Sequence, residues 1–382
     1  MKHIILLLFI IISIISAKDL VLIQALWRHG DRSPSGSYPN DPYPESFWPV
    51  PWSELSPLGM DQHFRQGLKI KQRYVEQFRF LNSTYHKSEV SARSTDVDRC
   101  LASAYSNLAG LYSDSTTSYP TNNSMWPKNW TPIPVHTVPL ENDNLLNPDF
   151  ACAKLEAEEA KLGTNVKFLE YAASKAPLLL KVSEDSGIKV TDIRDLKDLF
   201  DSLKIEKYHN LTLPSWVTDD LYSELEDVVN TVWDLLGGQS KIDIPENTEL
   251  IKLKGGNLLK TIIGNMENSR DIVKNNGVNQ RKYNIFSAHD TTVAAFLRTL
   301  GAKDGVLGNG EPIFASIVMV ELWKDINSNF FVQVIYSDDA ESQFRTITKY
   351  VSGCNKESYC PLDTFISRSD KYMPKNIDTE CL

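Results

Sequence analysis

Leu20 to Trp27 is an almost unbroken apolar run, with Gln24 its one strongly polar member. It stops at once in Arg28-His29-Gly30-Asp31-Arg32-Ser33-Pro34. A run of that length and uniformity reads as a strand buried on both faces of a parallel sheet. In open α/β sheets, ligands bind outside the carboxyl ends of the strands. The polar cluster therefore lies where a site is expected. Two arginines flank one histidine, with Gly30 to let the backbone turn and Pro34 to stiffen the exit. A guanidinium is a planar fork of donors that matches phosphate oxygens. His29, set between two such forks, is placed to attack the anion they hold.

A second run of the same kind, Tyr283 to Ala288, ends in His289-Asp290-Thr291-Thr292 and is followed by the helix-like VAAFLRTL. Between the two, Val90 to Ala92 reads as a short strand with Arg93 just beyond it. Arg93 is thus a third candidate phosphate ligand at a strand's carboxyl end. A helix is predicted from Asp96, with Val97, Leu101, Ala104, Leu108 and Leu111 on one face. Another is predicted after Leu55, with Ser56 as N-cap and Pro57 as first helical residue. Its apolar positions are Met60, Phe64 and Leu68, then Tyr74, Val75 and Phe78. The Pro-, Tyr- and Trp-rich stretch from Ser35 to Trp52 follows the candidate nucleophile directly and is expected to frame the pocket. Ala315 to Trp323 and Asn329 to Tyr336, joined by a tight polar link, read as an antiparallel pair.

The middle of the chain differs. Ser113 to Pro139 has little apolar periodicity and reads as a long connection. Ala151 to Gly238 is helical and charged. One face carries Ile193, Leu196, Leu199, Phe200 and Leu203, and another carries Leu221, Leu225, Val228, Val229, Val232 and Leu235. Thr218 is the predicted N-cap and Gly237 the C′ residue of the second of these helices. Leu258 to Met266 reads as a further helix preceded by Gly255-Gly256, and that pair lacks the GxxxxGK[ST] context of a phosphate loop. The fold expected is α/β, a three-layer core with a mostly parallel sheet flanked by helices. The core would use residues 18–121 and 265–382, and residues 122–264 would form a smaller, mainly helical insertion.

The formal net charge is −9, which argues against a nucleic-acid partner, since that needs a basic face. Local arginines in an acidic chain point instead to a small anionic substrate. Residues 1–17, MKHIILLLFIIISIISA, read as a secretory signal peptide: a positive start, an apolar centre and a small-residue end. No later segment is long and apolar enough to span a bilayer, so no membrane span is expected in the mature chain. Sequons at Asn82, Asn122, Asn129 and Asn210 fit a secreted or lysosomal fate as glycosylation sites. The five cysteines are Cys100, Cys152, Cys354, Cys360 and Cys381, and disulfides are expected in an oxidising compartment. Their spacing leaves connectivity open and shows no zinc pattern.

RHGDRSP after a buried strand, joined to SAHDTT at the end of a later one, resembles the signature of the histidine acid phosphatase family. The likeness extends through LSPLGMDQH, RSTDVDR, PIPVHTVPL, LPSW, LKGGNLL, GCNKESYCPLDTF and DTECL. It covers nearly all of the chain after residue 17 and is weakest in the helical insertion. It implies the phosphoglycerate-mutase-like core, with His29 as nucleophile, Asp290 as proton donor, and Arg28, Arg32, Arg93 and His289 as phosphate ligands. Disulfides Cys152–Cys381 and Cys354–Cys360 are implied too; Cys100 departs from the family's vertebrate pattern and is expected buried and unpaired on its helix, with an intermolecular bridge as the alternative. The implied activity is hydrolysis of phosphate monoesters, with phosphoproteins among possible substrates, at acid pH, without metal or other cofactor. A homodimer is a further implication. Two alternatives stand beside it: a phytase or other narrow phosphatase of the same superfamily, and a secreted binding protein that keeps the fold without catalysis.

Overall fold

The computed structural model describes residues 18–115, 119–120, 122–354 and 357–382. The expected signal peptide lies outside the described residues. The central element is β1, Asp19–Arg28. Its side chains alternate between two cores: Leu22 and Leu26 enter one, Ile23, Ala25 and Trp27 the other. Gln24, the polar exception, is 1% exposed. It is satisfied there, donating to the Ile262 carbonyl at 2.9 Å and accepting from Asn265 at 2.8 Å. A buried polar group without such partners would be costly.

Helix α1, Pro57–Lys71, begins as expected, with Ser56 Oγ accepting from the Gly59 amide. Its buried face is not the apolar one. Met60, Phe64 and Leu68 are exposed, and Gly59, Gln62, His63, Gln66, Gly67 and Ile70 are buried. That polar face serves the loop after β1. Gln62 Oε1 accepts from the Asp31 amide at 2.7 Å, and His63 Nε2 donates to the Arg28 carbonyl at 3.0 Å. Burial lowers the His63 pKa to about 3, so this donor stays neutral through the acid range. At Gly30 and Gly59 the backbones nearly touch: a Cβ on Gly30 would lie 2.4 Å from the Gly59 carbonyl oxygen.

Next come β2, Val90–Ser94, and α2, Asp98–Leu111. A run of helices follows: α3 (Ala153–Ala160), α4 (Val166–Ser174), α5 (Ala176–Ser186), α6 (Leu196–Tyr208) and α7 (Asp219–Leu236). Helices α4 to α7 share a core of their own, with Phe168, Val182, Leu199, Phe200, Leu203, Leu225 and Val228. Thr218 caps α7 through the Leu221 amide, and Gly238 rather than Gly237 takes the left-handed conformation after it. Helix α8 runs unbroken over Thr248–Lys274, through Gly255-Gly256 and across the expected boundary at 265. The glycines are there for contact: a Cβ on Gly256 would meet the Tyr372 carbonyl oxygen at 2.0 Å, and one on Gly255 the Ala295 carbonyl oxygen at 2.7 Å. Ile251, Leu258, Leu259, Ile262, Ile263 and Met266 of α8 belong to the core under the sheet.

The remaining strands are β3 (Tyr283–Ala288), β4 (Ile317–Lys324), β5 (Phe330–Ser337), β6 (Arg345–Thr346) and β7 (Cys360–Pro361). Helix α9, Asp290–Thr299, follows β3 directly. The sheet order is β2-β3-β1-β4-β5-β6, with β7 beside β5. The three-layer expectation holds, while the sheet is mixed rather than mostly parallel. β3 runs parallel to both β1 and β2. Every pairing from β4 onward is antiparallel. For β4 and β5 the reason is local: they are joined by a turn too short for the crossover that a parallel pair needs. Cys152–Cys381 and Cys354–Cys360 are disulfide-bonded, and Cys100 is free and buried. All four sequon asparagines are exposed.

Helix α6 carries a buried acid outside any hydrogen-bonded network. Glu206 is 1% exposed, and neither carboxylate oxygen has a hydrogen-bond partner among the described residues. Burial, then the nearby Asp41, pushes its pKa up to about 8. A carboxyl whose folded pKa lies above its unfolded value keeps its proton longer in the folded state. Stability is therefore lost as pH rises from about 4.5 towards 8. Glu206→Gln should raise the melting temperature at pH 7.5, by the equivalent of roughly 2–3 kcal/mol, and leave it nearly unchanged at pH 4.5. Thermal melts at the two pH values check this; the same shift at both would contradict it.

Candidate active site

The site sits at the carboxyl ends of β1 and β3, which lie side by side with Arg28 opposite Ala288. The His29 amide donates to the Ala288 carbonyl at 3.0 Å, and the His29 carbonyl accepts from Ala315 at 3.0 Å. These bonds pin the loop on both sides. The N-termini of α2 and α9 open onto the same place. Unsatisfied amides and the helix dipole favour an anion there.

A cavity of about 510 Å³ is lined by Arg28, His29, Arg32, Arg99, His289 and Asp290, with α6 and Phe314 forming its outer wall. His29 is 2% exposed. Its Nδ1 lies 2.8 Å from its neighbour's carbonyl, that of Gly30. That acceptor assigns the ring proton to Nδ1 and leaves a lone pair on Nε2. The His29 pKa is lowered well below the usual value, first by burial, then by the charges of Arg99 and Arg28. The imidazole is therefore neutral deep into the acid range. The His289 ring stands 5.6 Å from that of His29, centre to centre, at a steep angle. Its Nε2 lies 3.0 Å from Thr95 Oγ1. Burial, then Arg99, lowers its pKa to about 4.

Arg28 donates to the Pro312 carbonyl at 2.7 Å, pairs with Asp290 Oδ2 at 2.7 Å, and lies over the Phe314 ring at 4.4 Å. Arg32 forms a two-point pair with Asp201 of α6, at 2.8 and 3.1 Å. Arg28, Arg32 and Arg99 each have a buried Nε without a hydrogen-bond partner among the described residues. Two buried guanidinium groups and the half-buried Arg99, converging with unmet Nε donors, form a receptor for an anion with several oxygens. For Asp290, burial alone would raise the pKa, but Arg28, Lys197 and His289 together hold it below the usual carboxylate range.

The model of the histidine phosphatase superfamily (branch 2) matches residues 19–337. The chain belongs to that superfamily. Among its relatives is the prostatic acid phosphatase of Rattus norvegicus, 34% identical over 96% of this chain and 90% of that protein. The lysosomal acid phosphatase of Rattus norvegicus is 32% identical over 96% of this chain and 81% of that one. Among solved structures, the phytase from Citrobacter braakii matches with a TM-score of 0.66 at 16% identity, covering 95% of this chain and 99% of that one. At that identity the likeness concerns the fold.

Within this histidine phosphatase, five of the six expected site residues meet in the cavity: Arg28, His29, Arg32, His289 and Asp290. Arg93 does not. It pairs with Asp143 at 2.8 Å and bonds the Ser94 carbonyl. It is still within β2, opposite Phe286, and not beyond the strand's end. The arginine that reaches the pocket is Arg99, the other arginine of RSTDVDR, in the first turn of α2. The motif held both, and the rule of looking at strand ends selected the one that lies outside the cavity lining. The wall from α6, including Asp201, and the cation platform of Phe314 were not singled out as site residues either. They lie far from the motifs in sequence, and no local pattern announces them.

Proposed function

We propose that this protein hydrolyses phosphate monoesters at acid pH through a phosphohistidine on His29. The observation that carries the reading is the set of three arginines with buried, unmet Nε donors around a histidine whose pKa is lowered. Arg28, Arg32, Arg99 and His289 hold the non-bridging oxygens. Charge spreads over those oxygens in the transition state, so positioning and positive charge supply most of the catalysis. The Nε2 lone pair of His29 forms the N–P bond as the ester P–O bond breaks. The leaving oxygen takes its proton from Asp290. Water then attacks phosphorus, giving its proton to the Asp290 carboxylate, and the N–P bond breaks to restore neutral His29.

Asp290 needs a proton, although Arg28, Lys197 and His289 lower its pKa. The substrate supplies one. A singly charged phosphate ester, dominant below about pH 6, brings its proton into the site. Its oxygens also compete for Arg28, the group that holds Asp290 ionised. The rate of p-nitrophenyl phosphate hydrolysis should therefore peak in the acid range and fall above about pH 6, with EDTA present. A peak above neutral pH would sink this account. Asp290→Asn should slow alkyl phosphates far more than the nitrophenyl ester, whose leaving group needs little protonation. Equal losses for both would remove Asp290 from the proton-donor role.

The signal-like residues 1–17, the two disulfides and the exposed sequons support passage through the secretory pathway to the exterior or to lysosomes. We assign helices α4 to α7, with their own core, to a smaller helical unit that walls the site. A hexakisphosphate is less favoured as substrate. Of the lysines on the wall, Lys204 pairs with Glu311 at 3.0 Å and Lys207 sits on the Tyr222 ring, and Asp149, Asp198 and Asp201 line the same cavity. That mixed charge suits a substrate with a single phosphate better than one bristling with them.

A further inference from the structure

Arg32 comes from the loop after β1, but its guanidinium is gripped from the other side of the cavity. Asp201 of α6 accepts from Nη2 through Oδ1 at 2.8 Å and from Nη1 through Oδ2 at 3.1 Å. Oδ2 also accepts the Ser35 amide at 3.0 Å. The Ser33 carbonyl accepts from Nη1 at 2.9 Å. These bonds occupy the outer edge of the fork and fix its plane. Nε remains, buried and unpartnered. Burial alone would raise the Asp201 pKa, but Arg32 and Ser35 lower it.

We propose that Asp201 is a positioning residue, which orients Arg32 so that its inner edge meets the phosphate. This rests on the phosphate-binding reading of the cavity. The carboxylate touches neither the expected phosphate position nor His29; it acts through Arg32. The placement is unusual in sign, since a negative group lines a pocket for anions. Electrostatics alone says its removal should tighten phosphate binding. Positioning says the opposite. A long side chain freed from a two-point clamp regains rotamer freedom that must be lost again when the anion binds. A clamp from α6 also makes the helical wall part of the phosphate site: a shift of α6 moves Arg32.

The test is titration of inorganic phosphate into the full-length protein at pH 5, followed by calorimetry, for wild type, Asp201→Ala, Arg32→Ala and the double variant. Phosphate binding should weaken about tenfold in Asp201→Ala. The double variant should bind no more weakly than Arg32→Ala alone, because Asp201 has nothing left to orient. Hydrolysis of p-nitrophenyl phosphate, normalised to the amount of trapped phosphoenzyme, should show the same loss in kcat/KM per active site. Asp201→Asn keeps one acceptor and should fall between, and it serves if the alanine variant does not fold. Unchanged or tighter phosphate binding with only a lower melting temperature would overturn the proposal, as would additive losses in the double variant. Absence of phosphate binding by the wild type would overturn the phosphate reading itself, and this inference with it.

Discussion

His29→Ala should give a folded protein that still binds phosphate and whose turnover is lower by about four orders of magnitude or more. The loss is large because no other group can replace the attacking atom. His29 alone combines burial between arginines with a neutral ring whose Nδ1 proton is tied to Gly30. The fold should tolerate the change. The loop is held by backbone bonds to Ala288 and Ala315, not by the imidazole. Removing a ring from a pocket already open to solvent leaves no sealed void. Acid-labile label from a ³²P-phosphate ester, trapped by rapid quench, should appear in the wild type and vanish in the variant. Turnover within tenfold of wild type, with label still trapped, would place the nucleophile elsewhere.

The second large effect separates two arginines six positions apart. Arg99→Ala should lower kcat/KM by about 10²–10³ and raise the inhibition constant of free phosphate. It should also move the acid limb of the rate profile to higher pH. The sign follows from charge: after burial, Arg99 is the first cause lowering the pKa of both His29 and His289. Without it both rings protonate more readily, and a protonated His29 cannot attack. Arg93→Ala should instead leave phosphate affinity within about threefold, an exposed-surface scale of change. It should still lower the melting temperature, because it strips the cation from Asp143, which is 1% exposed. Steady-state kinetics from pH 3 to 8 on both variants decide the matter. The reverse pattern would restore Arg93 as the ligand.

The contrast between these residues shows what sequence alone could resolve. β1 was legible because uniform burial on both faces leaves a continuous apolar run. The Ser56-Pro57 start of α1 was legible because capping is a local interaction. The His289-Asp290 pair was legible because a strand end and a helix start meet there. Arg93 and Arg99 could not be told apart this way. Where β2 ends depends on its pairing with β3, nearly two hundred residues away. The buried face of α1 could not be read from its apolar positions for a related reason. Gln62, His63 and Gln66 look like surface residues until the loop they hydrogen-bond is in place. Gly255-Gly256 looked like a helix boundary, although the pair serves two close backbone contacts with distant parts of the chain. Asp201 belongs to the same class: its partner is 169 positions away.

The order of strands across the sheet has a consequence for how the protein is made. β1 occupies the centre, yet its neighbours are β3 and β4. The contact between Trp27 and Ser287 spans 260 positions. At about 5–20 residues per second, a ribosome needs roughly 13–50 s to deliver the second strand after the first. Throughout that interval this apolar strand has neither of its two neighbours to pair with. The centre of the sheet can therefore close only after nearly the whole chain has been made, and β1 must stay unpaired until β3 and β4 emerge.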